Sequence, residues 1–142
     1  MGTDIAHSLL TQDHYCAEQK LWRHVILNAF EDVLVLNTDR KSSIFKLNAH
    51  KWIMKSSDFE TVCWWAGWDP ENVREKYLKG IKETKIKFYQ KHILWFKYTS
   101  VYNKLKKERD SDKRRELYKL VNEARKAVNN ATSTLVKEIF VY

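Results

Sequence analysis

Apolar residues recur at helical spacing over residues 12–36, where Leu21, Val25, Ala29, Val33 and Leu36 form one stripe and Trp22, Ile26 and Phe30 widen it. The pattern predicts a central amphipathic helix. The run "LNTDRKSSI" interrupts it with Asn, Asp and Ser, the composition of a loop. A second, shorter helix is expected over residues 44–54, with Phe45, Leu47, Ala49, Trp52 and Ile53 as core candidates. "KSSDFE" then gives a start signal: Ser57 can cap, Glu60 lies three residues on, and Phe59, Val62, Cys63 and Ala66 would face inward. Gly67 stands where a helix ends in a left-handed residue, and Asp69-Pro70 restarts one with an N-cap acid and a proline at the first helical position. The helix that follows, residues 71–78, presents Val73, Tyr77 and Leu78 and stops near Gly80.

Residues 84–109 read in two ways. As a helix they carry one stripe of Ile86, Tyr89, Ile93 and Phe96 and another of Phe88, His92, Trp95, Tyr102 and Leu105. As a strand, Ile86 and Phe88 alternate with lysines before the pattern fails. The helix is the preferred reading, with Thr84 as its cap candidate. "RDSD" punctuates, Ser111 or Asp112 caps a further helix, and Leu117, Leu120, Val121, Ala124 and Val128 form its face. The chain turns at Asn129-Asn130 and finishes in the apolar "LVKEIFVY".

Three glycines and one proline in 142 residues leave a many-stranded sheet without its turn residues, so the expected class is all-α. The expected organisation is one compact domain over 1–142, with core helices at about 12–81 and a basic helical region at about 82–142. Cys16 and Cys63 lie far apart with no paired spacing, which signals neither a zinc framework nor a disulfide scaffold. No basic leader and no apolar run of membrane length is found, so a cytoplasmic protein with no membrane partner is expected.

Charge is distributed unevenly. Residues 1–73 hold seven Lys/Arg against ten Asp/Glu, and residues 74–142 hold nineteen against eight. One polyanion-facing side would produce that asymmetry, and so would a lysine-rich solvated helix surface. The lysines of the second half, Lys104, Lys106 and Lys107 with Arg114 and Arg115 among them, are spaced to track a phosphate backbone, with Tyr89, Trp95 and Tyr98 nearby for stacking or packing.

A helix-turn-helix needs a small residue in its first helix, a glycine in the turn and apolar residues after it. On residues 59–78 that template finds Val62 and Ala66 inward, Cys63 at the small position, Gly67 in the turn, then Trp68 and Val73. The stretch resembles the helix-turn-helix of DNA-binding regulators. In layout, with "LWRHVILNAFED", "AHKWIMKSSDFETVCWWAGWDPENVR" and a basic tail, residues 18–125 are similar to small uncharacterised proteins of phages and prophages in alphaproteobacteria. That resemblance implies a cytoplasmic, nucleic-acid-associated protein and no defined chemistry. A recognition helix here would offer Asn72 and Arg74 to base edges, while Lys76, Lys79 and Lys82 begin a neighbouring basic surface able to track phosphates. Asp69, Glu71 and Glu75 would meet the same phosphates with the wrong sign.

His7, His14, His24, His50 and His92 are scattered and no glycine-rich phosphate loop exists, so neither a metal site nor a cofactor is expected. Asp4, Asp32, Asp58 and Glu60 fall into no nuclease constellation, and the expectation is a protein that is not an enzyme. The leading reading is a regulatory DNA-binding protein, duplex DNA being favoured over RNA. The alternative is a helical protein-interaction module, in which residues 114–128 and the terminal "LVKEIFVY" meet a protein partner or a second copy.

Overall fold

Four of the described helices end where a side-chain cation takes over the last backbone carbonyls. The computed structural model describes residues 2–132 and 134–136, with side chains from residue 17 onward. Its elements in order are α1 (Gly2–Leu34), α2 (Arg40–Lys55), α3 (Ser57–Trp65), α4 (Pro70–Lys82), β1 (Phe88–Tyr89), α5 (Gln90–Lys107), α6 (Ser111–Asn129) and β2 (Leu135–Val136). The described chain is an all-α domain with one minor strand pair, Phe88 opposite Val136 and Tyr89 opposite Leu135.

Two apolar clusters organise it. The larger joins Ile26 and Val33 of α1, Leu47 and Ile53 of α2, Phe59, Val62 and Cys63 of α3, Tyr77 of α4, and Ile86, Phe88 and Ile93 beyond. The smaller joins Tyr98 and Leu105 of α5 to Val121 and Val128 of α6. Helix α5 therefore runs from the first cluster into the second, and the first core continues past residue 81.

Several expectations are corrected. On α1 the buried ridge is Ile26 and Val33 with Trp22 and Phe30 packed beside them, while Leu21 and Leu36 are exposed, because α2 and α3 cover only one side of that helix. On α2, Phe45 points to solvent and Lys46 and His50 are buried instead. Leu78 and Leu120 are likewise exposed. The cap of α3 is Ser56, whose hydroxyl accepts from the Asp58 N–H at 3.1 Å, and Ser57 is already helical. Similarly Asp110, not Ser111 or Asp112, precedes α6.

Gly80 does not end α4. It packs closely on the turn that follows, where a Cβ would lie 3.1 Å from Ile86 Cδ1 and that side chain would have to shift by a few tenths of an ångström. Thr84 is no cap: it sits in that turn at φ 60°, and the disfavoured strand reading holds for Phe88 and Tyr89. The segment swaps period at His92. Its Nδ1 accepts the Tyr89 N–H at 3.0 Å, which places the proton on Nε2, and Nε2 donates to the Asn37 carbonyl at 2.9 Å. One imidazole thus starts α5 and ties it to the loop after α1.

Four helix C-termini are closed by distant or following cations. Lys46 Nζ donates to the carbonyls of Val33 and Val35 at the end of α1. Arg74 does the same for α2 through Ile53 and Ser56, Arg23 for α3 through Ala66, and Arg114 for α5 through Leu105 and Glu108. The last four carbonyls of a helix have no intrahelical donor and carry the negative end of its dipole, so a cation satisfies both needs.

Candidate functional site

The α3–α4 corner is built from local signals. Gly67 adopts φ 76° and Asp69 Oδ1 accepts the Glu71 N–H at 3.1 Å, so a left-handed residue ends one helix and an N-cap acid begins the next. Phe59, Val62, Cys63 and Ala66 are buried, as their spacing predicts. The tryptophans are not: Trp64 is 63% and Trp65 52% exposed, and Trp68 is half-buried. Helix α1 braces the corner. Trp22 meets Trp65 at a ring distance of 4.7 Å, and the Arg23 guanidinium lies 5.1 Å from the Trp68 ring while its Nε bonds Ala66.

Along α4, the candidate contacts divide. Asn72 and Lys76 are exposed and line a cleft of about 390 Å³ with Leu27, Phe30, Trp68 and Val73. Lys79 lies 3.8 Å from Glu83, and Lys82 is exposed. Arg74, expected at a base edge, is engaged within the fold. Its Nε bonds the Ile53 carbonyl at 2.8 Å, Nη1 bonds Glu60 at 2.8 Å, and the group rests 5.1 Å from the Phe59 ring. A guanidinium held on α2, α3 and an aromatic face is not offered to a groove.

Replacing Arg74 with alanine should therefore cost about 2–3 kcal/mol, since hydrogen bonds to a charged group on a mostly buried site are lost together. Asn72→Ala should stay within about 0.5 kcal/mol. Urea unfolding of the two variants checks this, and equal midpoints would contradict the role given to Arg74.

The α5–α6 hairpin holds the remaining candidates. Lys104 and Lys107 flank an open groove with Lys113, Glu116, Leu117 and Leu120. Lys106 leaves α5 on another side, 5.4 Å from the Tyr102 ring. Arg115 is exposed. Arg114 is exposed as well, and its Nη1 bonds the Leu105 and Glu108 carbonyls, at 3.1 and 2.8 Å, and closes α5. Trp95 and Tyr98 pack in the smaller core, and Tyr89 begins α5, so of the proposed stacking rings none lies open on this groove.

Sequence reasoning did not single out Arg40 and Arg125. Both guanidiniums approach Tyr98, at 5.4 and 6.0 Å, although they stand 85 positions apart. Their convergence depends on α2 and α6 both packing on α5, and no linear pattern encodes that. Among the described residues the ion pairs are Arg74–Glu60, Lys79–Glu83 and Lys85–Glu83, and none involves Arg40, Lys104, Lys106, Lys107, Lys113, Arg115 or Arg125.

The buried polar groups lie away from this surface. His50 Nδ1 and the Tyr77 hydroxyl are 2.5 Å apart, His50 Nε2 has no hydrogen-bond partner among the described residues, and both rings are buried. Burial pushes His50 down to about 4, Lys46 down to about 8 and the Cys63 thiol up to about 11. A thiol so raised stays protonated at neutral pH and is a weak nucleophile. Among the described residues no three His, Cys, Asp or Glu side chains gather as metal ligands, and no helix is long and apolar enough to cross a membrane. Comparison with protein-family models, curated proteins and solved structures finds no match to this chain.

Proposed function

We propose that this protein binds the phosphate backbone of nucleic acid, duplex DNA before RNA, with the α5–α6 hairpin as its principal contact surface and a regulatory, non-catalytic role in the cytoplasm. One observation carries the reading: Lys104, Lys107, Lys113 and Arg115 are exposed on one hairpin, and none has an ion-pair partner among the described residues. Unpaired cations on a rigid pair of helices release counterions from a polyanion at little cost in side-chain order.

The helix-turn-helix-like unit α3–α4 has a smaller part in this reading. Asn72, Lys76 and Lys82 remain exposed on α4, whereas Arg74 is occupied. Base readout through α4 would rest on Asn72, and most of the affinity would be indifferent to sequence. The resemblance to small uncharacterised helix-turn-helix-like proteins of phages and prophages in alphaproteobacteria belongs to the same proposal.

Fluorescence anisotropy of a labelled random duplex across a salt series tests it. Affinity should fall with salt at about 0.9 per phosphate neutralised, a slope of roughly 3 or more for this hairpin. A flat salt response, or no binding at low salt, would sink the proposal.

The exposure of Trp64 and Trp65 favours a second reading, a helical module that docks a protein partner at the α3 end of the fold. The terminal "LVKEIFVY" enters that reading too, but from residue 137 onward it lies outside the described residues. Insensitivity of partner binding to salt would separate the two.

A further inference from the structure

Three cations from three helices gather over two tyrosines where α2, α5 and α6 meet. Tyr98 and Tyr102 lie one turn apart on α5, their rings inclined by only 17° with centroids 6.1 Å apart. The Arg40 guanidinium, on the first residue of α2, stands 5.4 Å from one ring and 5.8 Å from the other. Lys106 Nζ is 5.4 Å from Tyr102, and Arg125 is 6.0 Å from Tyr98, with Nη2 donating to the Tyr98 hydroxyl at 3.4 Å. That hydroxyl and the neighbouring phenols of Tyr118 and Tyr102 hold Arg125 above its ordinary value.

Attraction to the ring faces explains how each cation is held, but not why three share two rings. They repel one another, and the N-terminus of α2 adds charge of the same sign. Arg40, Lys106 and Arg125 make no ion pair among the described residues, and Asp39, beside Arg40 in sequence, caps α2 through the Ser42 N–H at 3.3 Å instead of pairing with it. Arg40 and Lys106 also donate no hydrogen bond to the described protein, so their N–H groups are available. An arrangement that gathers like charge without a counter-charge is stabilised when an oxyanion arrives, and forked guanidiniums suit phosphate oxygens in particular.

We propose that Arg40, Lys106 and Arg125, set on the Tyr98–Tyr102 shelf, form a discrete site for a phosphate group. The site is separate from the hairpin groove, because Lys104 and Lys107 leave α5 on the side that faces Lys113. It does not rest on the nucleic-acid reading: the phosphate can belong to a polymer backbone or to a small phosphorylated molecule.

Calorimetric titration of the full chain with inorganic pyrophosphate tests the site. Two variants with equal charge loss are compared, Arg40→Gln with Lys106→Gln, and Lys104→Gln with Lys107→Gln. Saturable binding should weaken about tenfold or more in the first pair and about twofold or less in the second, because only the first removes converging donors. Arg125→Gln alone should weaken binding as well, which guards against a folding defect in the double variant. Absence of saturable binding by the unaltered chain, or equal weakening by both pairs, would overturn the proposal as mere diffuse charge. Adding pyrophosphate to the protein bound to labelled duplex then assigns the source. Displacement identifies a backbone phosphate as the ligand, and joint binding identifies a free phosphorylated molecule.

Discussion

Exchanging Lys104, Lys107 and Lys113 for glutamate should weaken duplex binding by at least about 100-fold at ordinary ionic strength and lower the salt slope by about 2.7, three contacts at about 0.9 each. The effect is large because the three ammonium groups border one groove of the α5–α6 hairpin. Each reversal removes an attraction and adds a repulsion of similar size. Folding should survive, since the three side chains are exposed and make no ion pair among the described residues. Anisotropy on the triple variant, with thermal melting as the control for folding, gives the answer. An unchanged affinity in a folded variant would move the contact surface away from the hairpin.

Acid should destabilise the protein well before its carboxylates titrate. His50 is buried, and that burial lowers it from 6.5 to about 4. The unfolded chain therefore binds a proton on this imidazole between those values and the folded chain does not. Stability is complete above the unfolded value, declines as pH falls through 6.5, and levels off for this group near 4. Between pH 7 and pH 5 the loss from His50 should be about 2 kcal/mol, rising to about 3 kcal/mol at lower pH.

His92, lowered chiefly by burial and partly held up by the Asn37 carbonyl, adds to the loss with the same sign. The structural cause is specific. His50 Nδ1 and the Tyr77 hydroxyl share one hydrogen bond, and a second proton would create a buried cation beside the Phe88 ring. Urea unfolding at the two pH values measures the loss. If His50→Phe, provided it folds, keeps the full pH dependence, the imidazole is not its origin.

How the chain could be read from its residues follows the range of the interactions involved. The corner at Gly67, Asp69 and Pro70 was legible because a left-handed glycine, an N-cap acid and a proline act on backbone within two or three positions. The choice of helices over sheet was equally legible, since so few turn residues permit little else. At Phe88 and Tyr89 the same local reasoning failed, because the strand is stabilised by residues 135 and 136 and its helix boundary by a bond from His92 to Asn37.

Amino-acid sequence alone determined the helical class, the α3–α4 turn and the concentration of positive charge in the second half. Tertiary structure alone decided what each cation does. Lys46 is buried while Phe45, beside it, is exposed, because the open carbonyls at the end of α1 need a donor more than the core needs one more ring. Arg74 and Arg114 close helices by the same rule, and Arg40 and Arg125 both reach Tyr98 only because α2 and α6 flank α5. A side chain's charge is written in its own residue, but the partner that uses the charge is set by which unsatisfied groups the fold brings within reach.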